Sequence, residues 1–222
     1  MPVEGGYNQS MFASLVNELR TPLVELALLA EQSGIKEMSL VSWHTLALYE
    51  SYLLLQELSH NGSVDLLPGS LAAETTDTIN LIQPLANMYG VSIDYKKYNS
   101  LRPVAINRRV YKRATACMLY SIITSMQNIQ SSSMRISVRG GTRPKLHIFS
   151  PHLQILQEDI SAVAQGGLQA RPASMVDGVM SGMSIAQALY GLSGSKMRIS
   201  SNQHGKSIVV ELGNSEQLSL MG

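Results

Sequence analysis

The stretch at residues 17–23, Asn17-Glu18-Leu19-Arg20-Thr21-Pro22-Leu23, is the part of the sequence that best indicates the fold. It lies in a run from Met11 to Ala30 whose apolar residues recur at spacings of three and four, which predicts one stripe on an amphipathic helix. A proline inside a helix removes a backbone hydrogen bond and costs about 3 kcal/mol. An ordinary bundle helix would avoid Pro22, so the stretch indicates a specialised helix.

A second helical pattern follows a break at Ser33-Gly34, where the glycine suits a helix C-terminus. Val41, Leu48 and Leu55 recur every seven residues, as in helices that pack side by side. Two such helices joined by a short turn predict an antiparallel hairpin over residues 8–61. Because one hairpin cannot bury stripes this wide, we expect a homodimer in which two hairpins form a four-helix bundle.

The periodicity changes after about residue 70, where short β-like segments begin to alternate with helix-like ones. This order predicts an α/β two-layer sandwich over residues 70–213, separated from the hairpin by a Gly- and Pro-containing boundary at 61–69, and the fold class is therefore α+β. The expected strands are Val91–Tyr95, Met134–Val138, Leu146–Phe149, Lys196–Ser200 and Ser207–Leu212, the last two joined by a turn at 203–206. The expected helices are Thr76–Tyr89, Asn107–Gln127 and Ser184–Leu192.

Composition excludes several classes of protein. The chain has 17 basic and 16 acidic residues and a formal net charge of +1, whereas proteins that bind nucleic acid usually carry a clear basic excess. No apolar run approaches the ~20 residues that cross a bilayer, and the N-terminus lacks a signal-peptide pattern. The single cysteine, Cys117, cannot form an internal disulfide, and no histidine pair has the spacing of a helical metal site. We expect a cytoplasmic protein without nucleic acid, membrane or metal partners.

Residues 17–23 resemble the phosphorylation box of sensor histidine kinases, His-Glu-Leu-Arg-Thr-Pro-Leu, at six of seven positions. The difference falls on Asn17, which stands where the family has its phosphoacceptor histidine. The resemblance implies the architecture of a kinase core, a dimerising helical hairpin followed by an ATPase-like domain, over residues 8–213.

The resemblance also implies that the residues required for ATP use are absent. The family's two magnesium-binding asparagines would fall near Cys117 and Ser121, and neither side chain suits a hard cation. Its adenine-binding aspartate loop should follow the strand Lys145–Phe149, where this chain has Ser150-Pro151-His152-Leu153. A glycine-rich loop is expected at Asp177–Ser184, although two glycines are a weak phosphate-binding signal. We therefore expect no cofactor and no autokinase activity.

A basic run at Asn107–Arg113 places four cations at the start of a predicted helix. Two interpretations are open. The run is either a solvated helix face or a contact for an anion or an acidic partner.

Three functions are compatible with these features. The first is a non-catalytic two-component signalling protein that docks a response-regulator receiver domain or a partner histidine kinase through its degenerate box. The second is a histidine phosphotransferase in which His44 accepts phosphate, since a neutral imidazole is a competent nucleophile, although a histidine beside a helix seam is more often a packing residue. The third is a sensor whose altered nucleotide pocket binds a small ligand. The partner-binding residues of the first hypothesis are Asn17, Glu18, Arg20, Thr21 and Pro22.

Overall fold

The computed structural model describes residues 19–61, 64–98, 103–126, 129–140, 143–153 and 177–212. The chain divides into two compact units, residues 1–53 and residues 54–222. None of the helices in the described ranges is long and apolar enough to span a bilayer.

Two helices and a tight turn form the described part of the first unit. Helix α1 occupies residues 19–32, and helix α2 begins at Lys36 and continues to Asn61. Between them Gly34 adopts a φ of +72°, a left-handed conformation that a glycine reaches without steric cost. The Ser33 N–H donates to the Leu29 carbonyl at 2.9 Å and closes the last turn of α1. The predicted helix end at Ser33-Gly34 is therefore confirmed, while residues 8–18 of the predicted hairpin lie outside the described residues.

Small side chains are prominent among the buried positions of the first unit. Ala27 and Ala30 of α1 and Ser42 and Ser51 of α2 are buried, together with Leu46. By contrast, many of the larger apolar side chains of this unit are exposed to solvent. These exposed residues are Leu19, Leu26, Leu28, Leu29, Ile35, Met38, Val41 and Trp43.

Leu55, the last residue of the seven-residue row in α2, needs no second copy to cover it. It is buried within the single chain, at 7% exposure, next to the buried Leu54. Both residues belong to the second unit. The seven-residue spacing did not distinguish contacts within one chain from contacts between copies.

The second unit is a mixed α and β structure. Its strands are β1 (Leu67–Gly69), β2 (Ser92–Lys97), β3 (Val104–Ile106), β4 (Ser133–Arg139), β5 (Lys145–Ser150), β6 (Lys196–Asn202) and β7 (Gly205–Glu211). Its helices are α3 (Leu71–Met88), α4 (Arg108–Ser125) and α5 (Asp177–Leu192). The five strands expected from the sequence form one sheet in the order β2-β4-β5-β7-β6, in which only β2 and β4 are parallel. The α+β prediction is confirmed at this level.

The short strands β1 and β3 form a separate antiparallel pair that the sequence analysis missed. Each has only three residues, which is too short for an alternating pattern to be recognised. Gly69 packs closely there, because a Cβ at this position would lie 2.8 Å from the Ile106 side chain and would force that side chain to move.

Capping residues determine where two helices begin. Ser70 accepts a hydrogen bond from the Ala73 N–H at 3.3 Å, so α3 begins at Leu71, five residues before the expected start at Thr76. Asn107 accepts from the Val110 N–H at 3.1 Å and starts α4. One side of the five-stranded sheet, here called the inner face, buries the aligned Ile136, Ile148 and Ile208.

The expected glycine-rich loop at Asp177–Ser184 is wrong, because helix α5 already begins at Asp177. Each glycine in a helix interior costs roughly 1 kcal/mol relative to alanine, which made a loop the simpler expectation. Tertiary packing outweighs this cost, since α5 buries Met183, Ala186, Leu189 and Tyr190 completely or almost completely. Helix stability in proteins comes mainly from such packing of an apolar face.

Candidate functional site

The degenerate box lies at the start of the described part of α1. Arg20, Thr21 and Pro22 are helical and exposed, whereas Asn17 and Glu18 lie outside the described residues. Burial raises the pKa of the Tyr49 phenol, and the charge of Arg20 opposes that shift. Arg20 precedes Gly34 by 14 residues and Tyr49 follows it by 15, so their interaction is the one expected of two antiparallel helices.

The candidate phosphoacceptor His44 lies on α2, in the same compact unit as Arg20. Its side chain is half-buried, and this burial lowers the pKa of the imidazole. His44 is therefore predominantly neutral at neutral pH, which is the state that a nucleophilic imidazole requires. The same burial limits the approach of a phosphorylated partner. The imidazole is therefore in a suitable protonation state for phosphotransfer but is only partly accessible.

Ser150 ends β5 where the adenine-binding loop would follow. Its side chain is buried and its hydroxyl donates to the Ser133 carbonyl at 2.7 Å, with the Met126 sulfur 3.2 Å away. The same oxygen accepts the His152 N–H at 3.1 Å. The hydroxyl thus stabilises the turn after β5 and has no donor left for a ligand.

Gly205 packs tightly against this turn. A Cβ at Gly205 would lie 2.6 Å from the Ser150 carbonyl oxygen and 2.7 Å from the Pro151 Cα, and its φ is +144°. Only glycine fits both the space and the backbone conformation. The hairpin turn predicted at residues 203–206 is present but shorter, because Asn202 pairs with Gly205 around Gln203-His204 and Gly205 already belongs to β7. The β6–β7 hairpin therefore closes over the turn at Ser150-Pro151.

The two positions at which the resemblance predicts magnesium ligands lie one helical turn apart on α4, and both are buried. Cys117 is 3% exposed and Ser121 is fully buried. The Ser121 hydroxyl has no hydrogen-bond partner within the described residues. No group of three or more His, Cys, Asp or Glu side chains in the described part of the chain could hold a metal ion.

The basic run at Asn107–Arg113 forms ion pairs with acidic residues of neighbouring helices. The Lys112 ammonium lies 2.9 Å from the Asp77 carboxylate and 3.4 Å from Glu74, whose second oxygen lies 3.3 Å from Arg108. Arg109 lies 3.5 Å from Glu57 at the end of α2. The structure favours the interpretation of this run as a helix face over an anion-binding site. Its charges form ion pairs within the fold.

A row of buried hydroxyl groups, which the sequence analysis missed, joins helices α3, α4 and α5. The Thr75 hydroxyl donates to the Leu71 carbonyl, so the Tyr111 hydroxyl, 2.7 Å away, donates to Thr75. Burial raises the pKa of the Tyr111 phenol, and likewise that of Tyr190, which keeps both neutral. The two rings meet edge to face with centroids 6.1 Å apart. Tyrosines at helix positions carry no pattern that distinguishes a buried hydroxyl from an exposed one, so no sequence signal marked this row.

No protein-family model matches the chain, and no curated protein matches it. Among solved structures, full-length ShkA bound to AMPPNP aligns with a TM-score of 0.67 at 14% identity, over 93% of this chain and 46% of ShkA. The Acinetobacter baumannii histidine kinase AdeS aligns with a TM-score of 0.61 at 15% identity, over 90% of this chain and 98% of AdeS. Histidine kinase ThkA in complex with the response regulator TrrA aligns with a TM-score of 0.55 at 9% identity, over 96% of this chain and 62% of the matched one.

These matches agree with the element order found here, two consecutive helices followed by a mixed unit with a five-stranded sheet. Identities this low establish the fold and leave the activity open. The chain has a histidine-kinase-like fold.

Proposed function

We propose that the chain is a non-catalytic two-component signalling protein that forms a homodimer and docks a response-regulator receiver domain or a partner histidine kinase. The docking surface is the outside of α1 around residues 17–22. The observation that carries the proposal is the exposure of Arg20, Thr21 and Pro22 on a helix of a histidine-kinase-like fold.

The positions that differ from an active kinase support a role without catalysis. Ser150 uses its hydroxyl inside the fold, and Cys117 and Ser121 are buried side chains with weak affinity for a hard cation. Asn17 removes the phosphoacceptor of the box. These changes affect metal binding, adenine binding and phosphotransfer, and none of them alters the exposed side chains at residues 20–22.

One of the matched structures, ThkA with TrrA, contains a histidine kinase and a response regulator in one complex. A fold of this kind is therefore compatible with docking a receiver. Arg20 and Thr21 offer a charged donor and a hydroxyl to such a partner, and arginine is among the residues that most often dominate interface energetics.

The exposed apolar side chains of the first unit support a homodimer. Leu26 and Leu29 lie three positions apart on α1, with exposures of 45% and 62%, while the buried residues of this helix include the small Ala27 and Ala30. Side chains three positions apart share one face of a helix. A second copy would cover the leucines and complete a four-helix bundle.

The docking proposal is tested by exchanging both Arg20 and Thr21 for Ala and measuring binding to a panel of purified receiver domains. We expect binding to weaken by about fivefold or more, because loss of an interface anchor costs at least ~1 kcal/mol. Unfolding free energy should change by less than about 0.5 kcal/mol, since both side chains are exposed.

The matched control exchanges the exposed Glu31 and Gln32 for Ala at the other end of α1. Equal affinities for the Arg20/Thr21 variant and this control would contradict the proposed surface. A complementary variant, Asn17→His, should accept phosphate from a phosphorylated receiver if the docking geometry is preserved.

A second candidate function is phosphotransfer through His44, which is favoured by the lowered pKa of its imidazole. Incubation with a radiolabelled phosphorylated receiver distinguishes the two. Acid-labile label on the unmodified protein that disappears in a His44→Gln variant would support phosphotransfer. Binding without label supports the docking role.

A further inference from the structure

The side of the five-stranded sheet opposite the inner face, here called the outer face, has an uneven distribution of charge. Strand register and alternating burial place six basic side chains on it and two acidic ones, Asp94 and Glu211. This excess of four positive charges on one face contrasts with the net charge of +1 for the whole chain. The basic residues are Lys96, Arg135, Arg139, Lys145, Lys196 and Arg198.

On the outer face, the central strands β5 and β7 carry the Lys145–Glu211 pair at one end and less polar side chains along the rest of their length. Phe149 and His147 of β5 and Val209 of β7 are half-buried there, and the register sets His147 directly opposite Val209. On one side lie the cations of β2 and β4, and on the other those of β6. Adjacent strands are about 4.8 Å apart, so β4 and β6 enclose a strip roughly 14 Å wide.

The two carboxylates of the outer face already form ion pairs with basic residues of the same face. Asp94 lies 3.1 Å from the Arg135 guanidinium, and Glu211 lies 2.7 Å from the Lys145 ammonium. The hydrogen bond from Lys145 lowers the pKa of Glu211 and keeps it ionised, and Arg198 acts in the same direction. By contrast, Arg139 and Lys196 form no salt bridge within the described residues, so their charges are available to a partner.

We propose that the outer face binds an acidic amphipathic helix of a partner protein. An α-helix with its side chains is about 10–12 Å in diameter, which matches the strip between β4 and β6. Its apolar stripe would cover Phe149 and Val209, and carboxylates on either side of that stripe would meet the cations of β4 and β6. Complementary charge of this kind also accelerates association.

A nucleic acid suits the face less well. Nucleic acids usually bind through several aromatic rings that stack on the bases, whereas Phe149 is the one Phe, Tyr or Trp side chain that the described strands place on this face. The experiment below also measures binding of a nucleic acid and of anionic lipid, so that either can be recognised as the ligand of this face.

The test uses the full chain and a labelled helical peptide with one leucine stripe flanked by Glu, and binding is followed by fluorescence anisotropy. We expect saturable binding that weakens as salt rises, because added salt screens exposed charges. A peptide with Gln in place of Glu should bind more weakly. Lys196→Glu and Arg139→Glu should each reduce affinity by about fivefold, given the modest strength of exposed charge pairs.

Lys97→Glu is the matched control, because Lys97 pairs with Val138 and so follows Lys96 on the opposite side of β2. It introduces the same change of charge and should leave affinity unchanged. A Phe149→Thr variant tests the apolar centre and should weaken binding while keeping the salt dependence. Amide shifts on peptide addition should concentrate on β4, β5, β7 and β6.

Three results would overturn the proposal. One is absence of peptide binding, and another is equal weakening by Lys97→Glu and Lys196→Glu. The third is tighter, Lys196-dependent binding of single-stranded DNA or of phosphatidylserine vesicles, which would assign the face to a different class of ligand. The interface lies on the second unit and is independent of the docking surface on α1, so failure of either leaves the other in place.

Discussion

The Tyr190 hydroxyl on α5 lies 2.7 Å from Oγ1 of Thr115 on α4 and donates to it, because the Thr115 hydroxyl itself donates to the Tyr111 carbonyl. The bond joins residues 75 positions apart in the sequence. Together with the Tyr111–Thr75 bond, it connects α3, α4 and α5 through their buried faces.

Removing the Tyr190 hydroxyl should destabilise the second unit. We expect Tyr190→Phe to lower the unfolding free energy by about 1 kcal/mol, the usual net value of a buried hydrogen bond. Urea unfolding measures the change. Tyr98→Phe is the control, since Tyr98 is 51% exposed and should stay within about 0.5 kcal/mol. An effect of Tyr190→Phe no larger than the control would show that the hydroxyl does not stabilise the helix layer.

A second prediction concerns self-association. Replacing Leu26 and Leu29 by Glu places two charges on the exposed face of α1, and we expect the dimer to dissociate into folded monomers. Light scattering reports the mass, and circular dichroism reports whether the helices persist. Gln32→Glu adds a similar charge at an exposed polar position of the same helix and should leave the dimer intact. A monomeric unmodified protein would contradict the prediction at once.

Nucleotide binding provides a third prediction. We expect calorimetry to detect no ATP–Mg²⁺ binding tighter than about 100 μM, which corresponds to roughly −5.5 kcal/mol. Ser150→Asp, which restores a carboxylate after β5, should not recover binding. The residue is 1% exposed and its hydroxyl donates to Ser133, so a buried carboxylate there should cost about 3 kcal/mol of stability. Tight binding by the unmodified chain would refute the non-catalytic assignment.

The fourth prediction concerns pH. Burial and the Arg139 charge lower the pKa of His147 below its ordinary value of 6.5. As pH falls, His147 therefore binds a proton in the unfolded chain before it does so in the folded chain. The contribution of neutral His147 to the free energy of unfolding is present above pH 6.5 and is lost as pH falls below it. His147→Gln should flatten the decline in melting temperature between about pH 7 and pH 5, with His204→Gln as the exposed control. An unchanged slope for His147→Gln would show that His147 does not contribute to the decline.

The sequence predicted the elements that carry strong periodicity. The five strands of the main sheet and the turn at Gly34 were predicted, because alternating residues and a left-handed glycine leave clear local patterns. Two features escaped prediction for a shared physical reason. The strand pair β1–β3 joins segments distant in the sequence, and α5 is stabilised by the burial of side chains such as Met183 and Tyr190 within the fold.

The candidate site was only partly predictable. Residues 20–22 were nominated from their resemblance to a known motif, and their exposure followed from the helix. The hydrogen bond of Ser150 to Ser133 was not predictable, since no local pattern shows which side chain a hydroxyl will meet. Burial of Leu55 within one chain was not predicted. A seven-residue repeat shows which side chains share a helix face, but it does not show which part of the protein packs against that face.

Among the strands that the structure describes, β2 and β6 form the two edges of the main sheet. An edge strand exposes unpaired backbone groups that can recruit further strands and begin aggregation. Lys96 and Lys97 on β2, and Lys196 and Arg198 on β6, surround those edges with like charges. Two copies that approached edge to edge with the same strand would bring these cations together. These charges therefore oppose growth of the sheet by addition of strands.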